Sequence, residues 1–141
     1  MSRRLARETA LQVLFQLDMN GEGSEVDNII HHWAEEFAVP EISIPFAEEL
    51  IKGTLEHQEE IDKKLSELSE GWGLKRMGNV DRNLLRLASY EILYRSDIPG
   101  RVTLNEAVEI AKLYGSEESA KFINGILDKI VASVQKTEEK L

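Results

Sequence analysis

Apolar residues recur every three to four positions along most of the chain, and no segment keeps the strict alternation of a half-buried strand. The pattern therefore predicts an all-α protein. The first predicted helix runs from about Arg3 to Met19. Its apolar stripe is formed by Ala6, Ala10, Leu11, Val13, Leu14, Phe15 and Leu17. This stripe is wider than that of a simple amphipathic helix, which indicates packing on more than one side.

Capping residues, glycine and proline divide the middle of the chain. Ser24 is placed to cap a second helix, which ends before Pro40. A helical spacing then extends from Ser43 to Ser69. Gly53 and His57 are the positions at which this stretch can divide into two helices.

Three further helices are predicted in the C-terminal half of the chain. The first follows a turn at residues 71–73 and extends over residues 80–95. The second begins at a capping box over residues 103–106, in which Thr103 and Glu106 cap each other's amides. Ser116 caps the last helix, and the apolar spacing of that helix continues straight through Asn124-Gly125.

Length and composition fit one folded domain that spans residues 1–141, with 42% hydrophobic and 30% charged residues. The absence of cysteine excludes disulfides, cysteine zinc sites and thiol nucleophiles. No apolar run approaches the roughly 20 residues of a membrane span, and the N-terminus lacks the apolar core of a signal peptide. We therefore expect a cytoplasmic protein with no membrane partner.

The net charge of −9 is unevenly distributed along the chain. Residues 21–70 carry 14 Asp or Glu against 3 Lys, whereas residues 1–20 and 71–141 each have a net charge of +1. Phosphate binding depends on Lys and Arg, so the average charge argues against a nucleic-acid partner. The two ends can nevertheless form a local basic surface, and the acidic stretch can be a solvated helix face with no function of its own.

Arg3, Arg4 and Arg7 lie in the first turns of the first predicted helix. A cation at this positive end of the helix dipole costs about 0.3 to 1 kcal/mol. Unpaired amides, the dipole and the guanidiniums together form a good site for phosphate. The alternative is an exposed basic terminus that only increases solubility.

The last predicted helix keeps a glycine in its interior, at Gly125, which costs about 1 kcal/mol relative to alanine. Close packing of another backbone is the first explanation, and approach of a ligand is the second. Lys121 and Phe122 precede it and offer a phosphate contact and a ring on which an unpaired base can stack. By its spacing, Phe122 can equally belong to the core.

The sequence offers little catalytic chemistry. His32 and Glu36 have the spacing of a ligand pair on a helix, but two ligands do not make a metal site. The chain contains no phosphate-cradling glycine loop and no nucleophile elbow. We therefore expect no enzyme, no catalytic residue, no metal and no cofactor.

Four segments together resemble the NusB family of bacterial transcription antitermination factors, and they occur in the family's order. They read RRLARETALQ over residues 3–12, VDRNLLRLASYE over 80–91, NEAVEIAK over 105–112 and KFINGILDK over 121–129. The resemblance covers essentially the whole chain and is weakest in the acidic middle.

The resemblance implies about seven helices in two small bundles and a role without catalysis. Members of the family bind the boxA segment of nascent RNA, most effectively with NusE, a ribosomal small-subunit protein. They act in the RNA polymerase antitermination complex during ribosomal RNA synthesis. Carried over by motif, the RNA contacts are Arg3, Arg4, Arg7, Lys121 and Phe122, and the positions facing NusE are Phe15 and Asp81.

Two other classes of protein fit the same residues. One is a helical interaction module or homodimer that buries its apolar first helix and has no RNA specificity of its own. The other is the RNA-recruiting domain found fused to ribosomal RNA methyltransferases. That domain needs a downstream S-adenosylmethionine domain, for which these 141 residues leave no room.

Overall fold

A computed structural model of the chain describes residues 2–20, 25–69 and 77–139. These residues form seven α-helices, a short 3-10 helix and no strand, so the predicted all-α class is confirmed. The helices are α1 (Ser2–Asn20), α2 (Val26–Glu36), α3 (Ile44–Glu56), α4 (Gln58–Leu68), α5 (Asn79–Tyr94), α6 (Gly100–Tyr114) and α7 (Glu117–Glu139), with the 3-10 helix at Glu41–Ser43.

The chain divides into two compact units, Met1–Glu56 and His57–Leu141. The division falls at His57, one of the two positions at which the sequence predicted a break, whereas Gly53 is buried inside α3. In the described part of the chain, no helix combines the length and the apolar character that a membrane span requires.

In the first unit, α1 packs against both α2 and α3. This confirms the prediction, made from its wide apolar stripe, that α1 is covered on more than one side. The buried part of that stripe consists of Ala6, Ala10, Leu11, Val13 and Leu14. A polar contact also joins two of the helices, because the Trp33 indole N–H donates to Gln16 Oε1 at 2.7 Å.

The second unit is organised around α5, which packs against α4, α6 and α7. All ten side chains from Asn83 to Ile92 are buried. The charged member Arg86 is only 8% exposed and forms two hydrogen bonds with Asp62 of α4, at 2.8 and 2.9 Å. The segment from Asn83 to Ile92 therefore lies in the interior, and three helices of its unit pack against α5.

Most predicted helix boundaries agree with the structure to within two residues. α1 and α5 begin and end close to their predicted positions. Ser116 caps α7 as predicted, since its Oγ accepts the Ser119 N–H at 3.0 Å. The proposed cap Ser24 and the turn at residues 71–73 lie outside the described residues.

The predicted capping box at residues 103–106 is wrong. α6 already begins at Gly100, because the Pro99 carbonyl accepts the N–H groups of Val102 and Thr103. Thr103 is therefore helical and only 1% exposed, and its hydroxyl has no hydrogen-bond partner among the described residues. Burial of the Thr103 side chain in the core outweighs the preference of threonine for a helix cap.

The helical pattern through Asn124-Gly125 is confirmed, since α7 continues without a break from Glu117 to Glu139. The packing explanation for Gly125 is wrong. Gly125 is exposed, and a Cβ atom added there would meet no heavy atom of the described residues within 4 Å.

Gly125→Ala is expected to raise the free energy of unfolding by about 0.5 to 1 kcal/mol, because alanine has the higher helix propensity and space for its methyl group is present. Gly100→Ala is the matched control, since its new Cβ would lie 3.2 Å from Val131 Cγ2. Urea unfolding of both variants measures the difference. Equal gains at the two positions would contradict this account.

Candidate nucleic-acid interface

The three arginines at the start of α1 differ in their environments. Arg3 is exposed, Arg4 is half-buried and Arg7 is only 4% exposed. Arg3 and Arg7 are four residues apart and therefore lie on the same face of the helix. Arg3 and Arg4 offer the accessible surface at this end of α1, while Arg7 belongs largely to the packed interior of the first unit.

An aromatic ring from α3 receives two of these side chains. The guanidinium carbon of Arg3 lies 4.7 Å from the centre of the Phe46 ring, and that of Arg7 lies 5.5 Å from it. Both distances fall within the range of cation–π attraction. We call Arg3, Arg7 and Phe46 the arginine–phenylalanine cluster.

The first turn of α1 contains no acidic residue. The positive end of the helix dipole and the charges of Arg3 and Arg4 therefore occur together, without a carboxylate in that turn. Helices normally place acidic residues at this end. Two arginines therefore lie at the positive end of α1 in a protein whose net charge is −9.

In the second unit, a groove of about 470 Å³ lies beside the starts of α5 and α7. The groove brings together Asp81, predicted to face a protein partner, and Phe122, predicted to contact RNA. Its lining consists of Met77, Gly78, Asp81, Ser116, Glu118, Ser119 and Phe122. The Ser119 hydroxyl donates to Asp81 Oδ2 at 3.3 Å and so joins the first turns of the two helices.

Lys121 and Phe122 lie in the second turn of α7. Lys121 is exposed, and Phe122 is half-buried in the lining of the groove. The next residue of the helix, Ile123, is fully buried. Phe122 therefore lies at the edge of the core with part of its surface in the groove.

Phe15 is half-buried on α1. It belongs to the first unit, as do the three arginines, whereas Asp81, Lys121 and Phe122 belong to the second. Four of the seven predicted residues thus belong to the first unit and three to the second. Their roles in binding remain predictions.

The side chains of Tyr94 and Lys52 have shifted pKa values. The Tyr94 hydroxyl donates to Glu60 Oε2 at 2.7 Å, and this bond raises the pKa of Tyr94 to about 12. Asp27, 3.0 Å from the Lys52 ammonium, raises the pKa of Lys52. Across the described residues, no three His, Cys, Asp or Glu side chains form a group that could hold a metal ion.

Phe46 is the residue of this interface that sequence reasoning missed. It is about 40 positions from the arginines, and no local pattern links an aromatic residue near the start of α3 to the first turn of α1. Only the packing of α3 against α1 places the ring beside the guanidiniums.

The helical fold and the positively charged start of α1 are features of a small all-α binding protein. Comparison with known families identifies it further, because the sequence model of the NusB family matches residues 4–132. The chain belongs to the NusB family.

Individual relatives agree with this assignment. Transcription antitermination protein NusB of Desulfitobacterium hafniense (strain DSM 10664 / DCB-2) is 75% identical over 140 residues, which cover 99% of this chain and 95% of the relative. A solved structure of T. maritima NusB superimposes with a TM-score of 0.84 at 41% identity, over 92% of this chain and 90% of that one. A crystal structure of antitermination factors NusB and NusE in complex with dsRNA gives a TM-score of 0.82 at 30% identity, over 94% and 97% of the two chains.

Proposed function

We propose that this protein is a transcription antitermination factor that binds boxA-type single-stranded RNA together with NusE and promotes ribosomal RNA transcription. In this proposal the whole chain acts as one RNA-binding domain of the RNA polymerase antitermination complex. It works in the cytoplasm, without catalysis. The observation that carries the proposal is the first turn of α1, where Arg3 and Arg4 meet the positive end of the helix with no acidic residue in that turn.

Phosphate contacts supply the first part of the mechanism. The accessible guanidiniums of Arg3 and Arg4 meet the RNA backbone, and the N–H groups at the helix start add to the positive potential. Such contacts fix the position of the strand but carry no sequence information. The arginines therefore account for affinity and for salt dependence, and not for the choice of boxA.

Base recognition requires a second surface. The open part of the Phe122 ring offers a face on which an unpaired base can stack, and the exposed Lys121 lies beside it on α7. Double-stranded RNA hides its base faces, so a stacking contact favours a single strand.

NusE supplies the remaining contacts in this proposal. Asp81 lies in the same groove as Phe122, so a protein bound at Asp81 would be close to RNA bound at Phe122. Phe15 offers a half-buried aromatic side chain to the partner in the first unit. One RNA strand held by two joined proteins is bound more tightly than by either alone, because the second contact becomes intramolecular.

Arg4→Ala is expected to lower the affinity for boxA-type RNA by about 1 kcal/mol, or roughly fivefold, and to reduce the slope of log K against log salt by about one. Arg101→Ala is the matched control. It removes the same charge from α6, where Arg101 is 60% exposed and pairs with Asp128 at 2.9 Å. Labelled boxA-type and scrambled RNAs are titrated with each protein, alone and mixed with NusE.

Equal effects of Arg4→Ala and Arg101→Ala on RNA binding would overturn the proposed contact at α1. Equal weak binding of the boxA-type and scrambled RNAs in the mixture would instead favour the interaction module or homodimer. One observation favours an interaction module that would use α6 rather than α1, since Val102 and Leu113 of α6 are 46% and 66% exposed. Light scattering of the protein with and without RNA then measures the oligomeric state.

A further inference from the structure

The Phe46 ring lies where two cations of α1 meet. Arg3 and Arg7 follow each other at a spacing of four residues, so their charges repel along the helix face. Both guanidinium carbons are within 5.5 Å of the same ring centre. The electron-rich face of an aromatic ring attracts cations, so the ring offsets this repulsion.

An aromatic ring differs from a carboxylate in one respect that matters for a phosphate site. A carboxylate partner would cancel the charge of the arginine that it holds. A phenylalanine ring has no net charge, so it attracts a guanidinium and leaves its positive charge in place. The ring can therefore position an arginine that must later meet an anion.

The two arginines of the cluster occupy different depths. Arg7 is 4% exposed, so its side chain fills space in the first unit. Arg3 is exposed, and its guanidinium lies over the ring at the shorter distance of 4.7 Å. The ring thus contacts an inner arginine that packs and an outer arginine that solvent reaches.

Binding normally restricts a long side chain, and the lost freedom weakens affinity. An arginine already held over a ring loses less freedom when a phosphate arrives, because much of the restriction is present in the free protein. This effect applies to Arg3, whose contact with Phe46 is formed without RNA.

We propose that Phe46 is a positioning residue for RNA binding, which holds the Arg3 guanidinium in place for a phosphate of the RNA backbone. The inference rests on the proposed function, since it assigns Phe46 a role in the same RNA contact. Phe46 itself touches no RNA in this account and acts through Arg3.

Phe46→Leu tests the role, because leucine keeps an apolar side chain on α3 and removes the aromatic face. The expected result is a loss of boxA-type RNA affinity of roughly two- to fivefold, the range of an exposed cation–π contact. Phe46→Tyr keeps the aromatic face and should bind within about twofold of the unchanged protein. Thermal unfolding of each variant is measured in parallel, and Phe46→Met replaces Phe46→Leu if the leucine variant does not fold.

A double-mutant cycle separates positioning from simple packing. If Phe46 acts through Arg3, then Phe46→Leu weakens binding much less in an Arg3→Ala background than in the unchanged protein. Equal losses in the two backgrounds would overturn the positioning role. The positioning role would also be overturned if the Phe46→Leu protein had a lower melting temperature but an unchanged affinity for RNA.

The same measurements distinguish this inference from the proposed function. If Arg3→Ala weakens binding and Phe46→Leu does not, the positioning role fails and the RNA contact of α1 stands. If neither Arg3→Ala nor Arg4→Ala changes affinity or salt slope, the RNA contact itself fails, and the positioning role fails with it.

Discussion

Asp62→Ala is expected to lower the free energy of unfolding by about 3 kcal/mol, because it leaves the buried Arg86 guanidinium without its carboxylate. The pair is bidentate, with Nε 2.8 Å from Asp62 Oδ1 and Nη2 2.9 Å from Oδ2. The Arg86 side chain is 9% exposed and that of Asp62 is 25% exposed. Because Asp62 is partly exposed to solvent, the expected loss of unfolding free energy lies at the lower end of the range for buried pairs.

Asp128→Ala provides the matched control for this prediction. Asp128 pairs with Arg101 at 2.9 Å, but the two side chains are 52% and 60% exposed. Exposed pairs contribute about 0 to 1 kcal/mol, since water competes for both charges. Urea unfolding of both variants compares the two pairs, and equal losses would show that burial does not strengthen the contact between α4 and α5.

Leu127→Ala is expected to lower the free energy of unfolding by about 3 kcal/mol, within the range of 2 to 5 found for such truncations. Leu127 is fully buried on α7, which packs against α5 and α6. The loss combines the hydrophobic transfer of the removed atoms with the cavity that they leave.

Leu113→Ala makes the same chemical change at a position that is 66% exposed. It should change the free energy of unfolding by less than about 0.5 kcal/mol, as is usual for surface sites. Leucine and alanine are both good helix formers, so helix propensity contributes little to the difference in unfolding free energy between the two variants. A loss at Leu113 as large as that at Leu127 would mean that the exposed face of α6 is covered in solution.

Much of the fold could be predicted from the spacing of apolar residues. Residues on the buried face of a helix recur every three to four positions in the sequence. The number and approximate bounds of the helices therefore follow from the local pattern. The start of α6 could not be predicted in this way. The box at Thr103 satisfies every local rule for a cap, yet Pro99 begins the helix one turn earlier and packing buries Thr103. A capping preference is worth about 1 kcal/mol, and burial of the Thr103 side chain outweighs it.

The candidate interface was only partly accessible to sequence reasoning. Arg3 and Arg4 stand out locally because basic residues oppose the helix dipole, and this signal needs no tertiary structure. The burial of Arg7 and the position of Phe46 depend on how α3 packs against α1, which a local pattern does not record. The groove of Asp81 and Phe122 likewise forms from two helix starts that are far apart in sequence.

The burial of the Asn83–Ile92 segment of α5 limits how its sequence can evolve. Every side chain from Asn83 to Ile92 is buried, and α4, α6 and α7 pack against α5, so no side of this segment faces open solvent. A single replacement that alters volume or charge there disturbs a facing helix. Sequence drift in α5 therefore proceeds through compensating sets of changes shared with its three neighbours, whereas the outer faces of α6 and α7 can change one residue at a time.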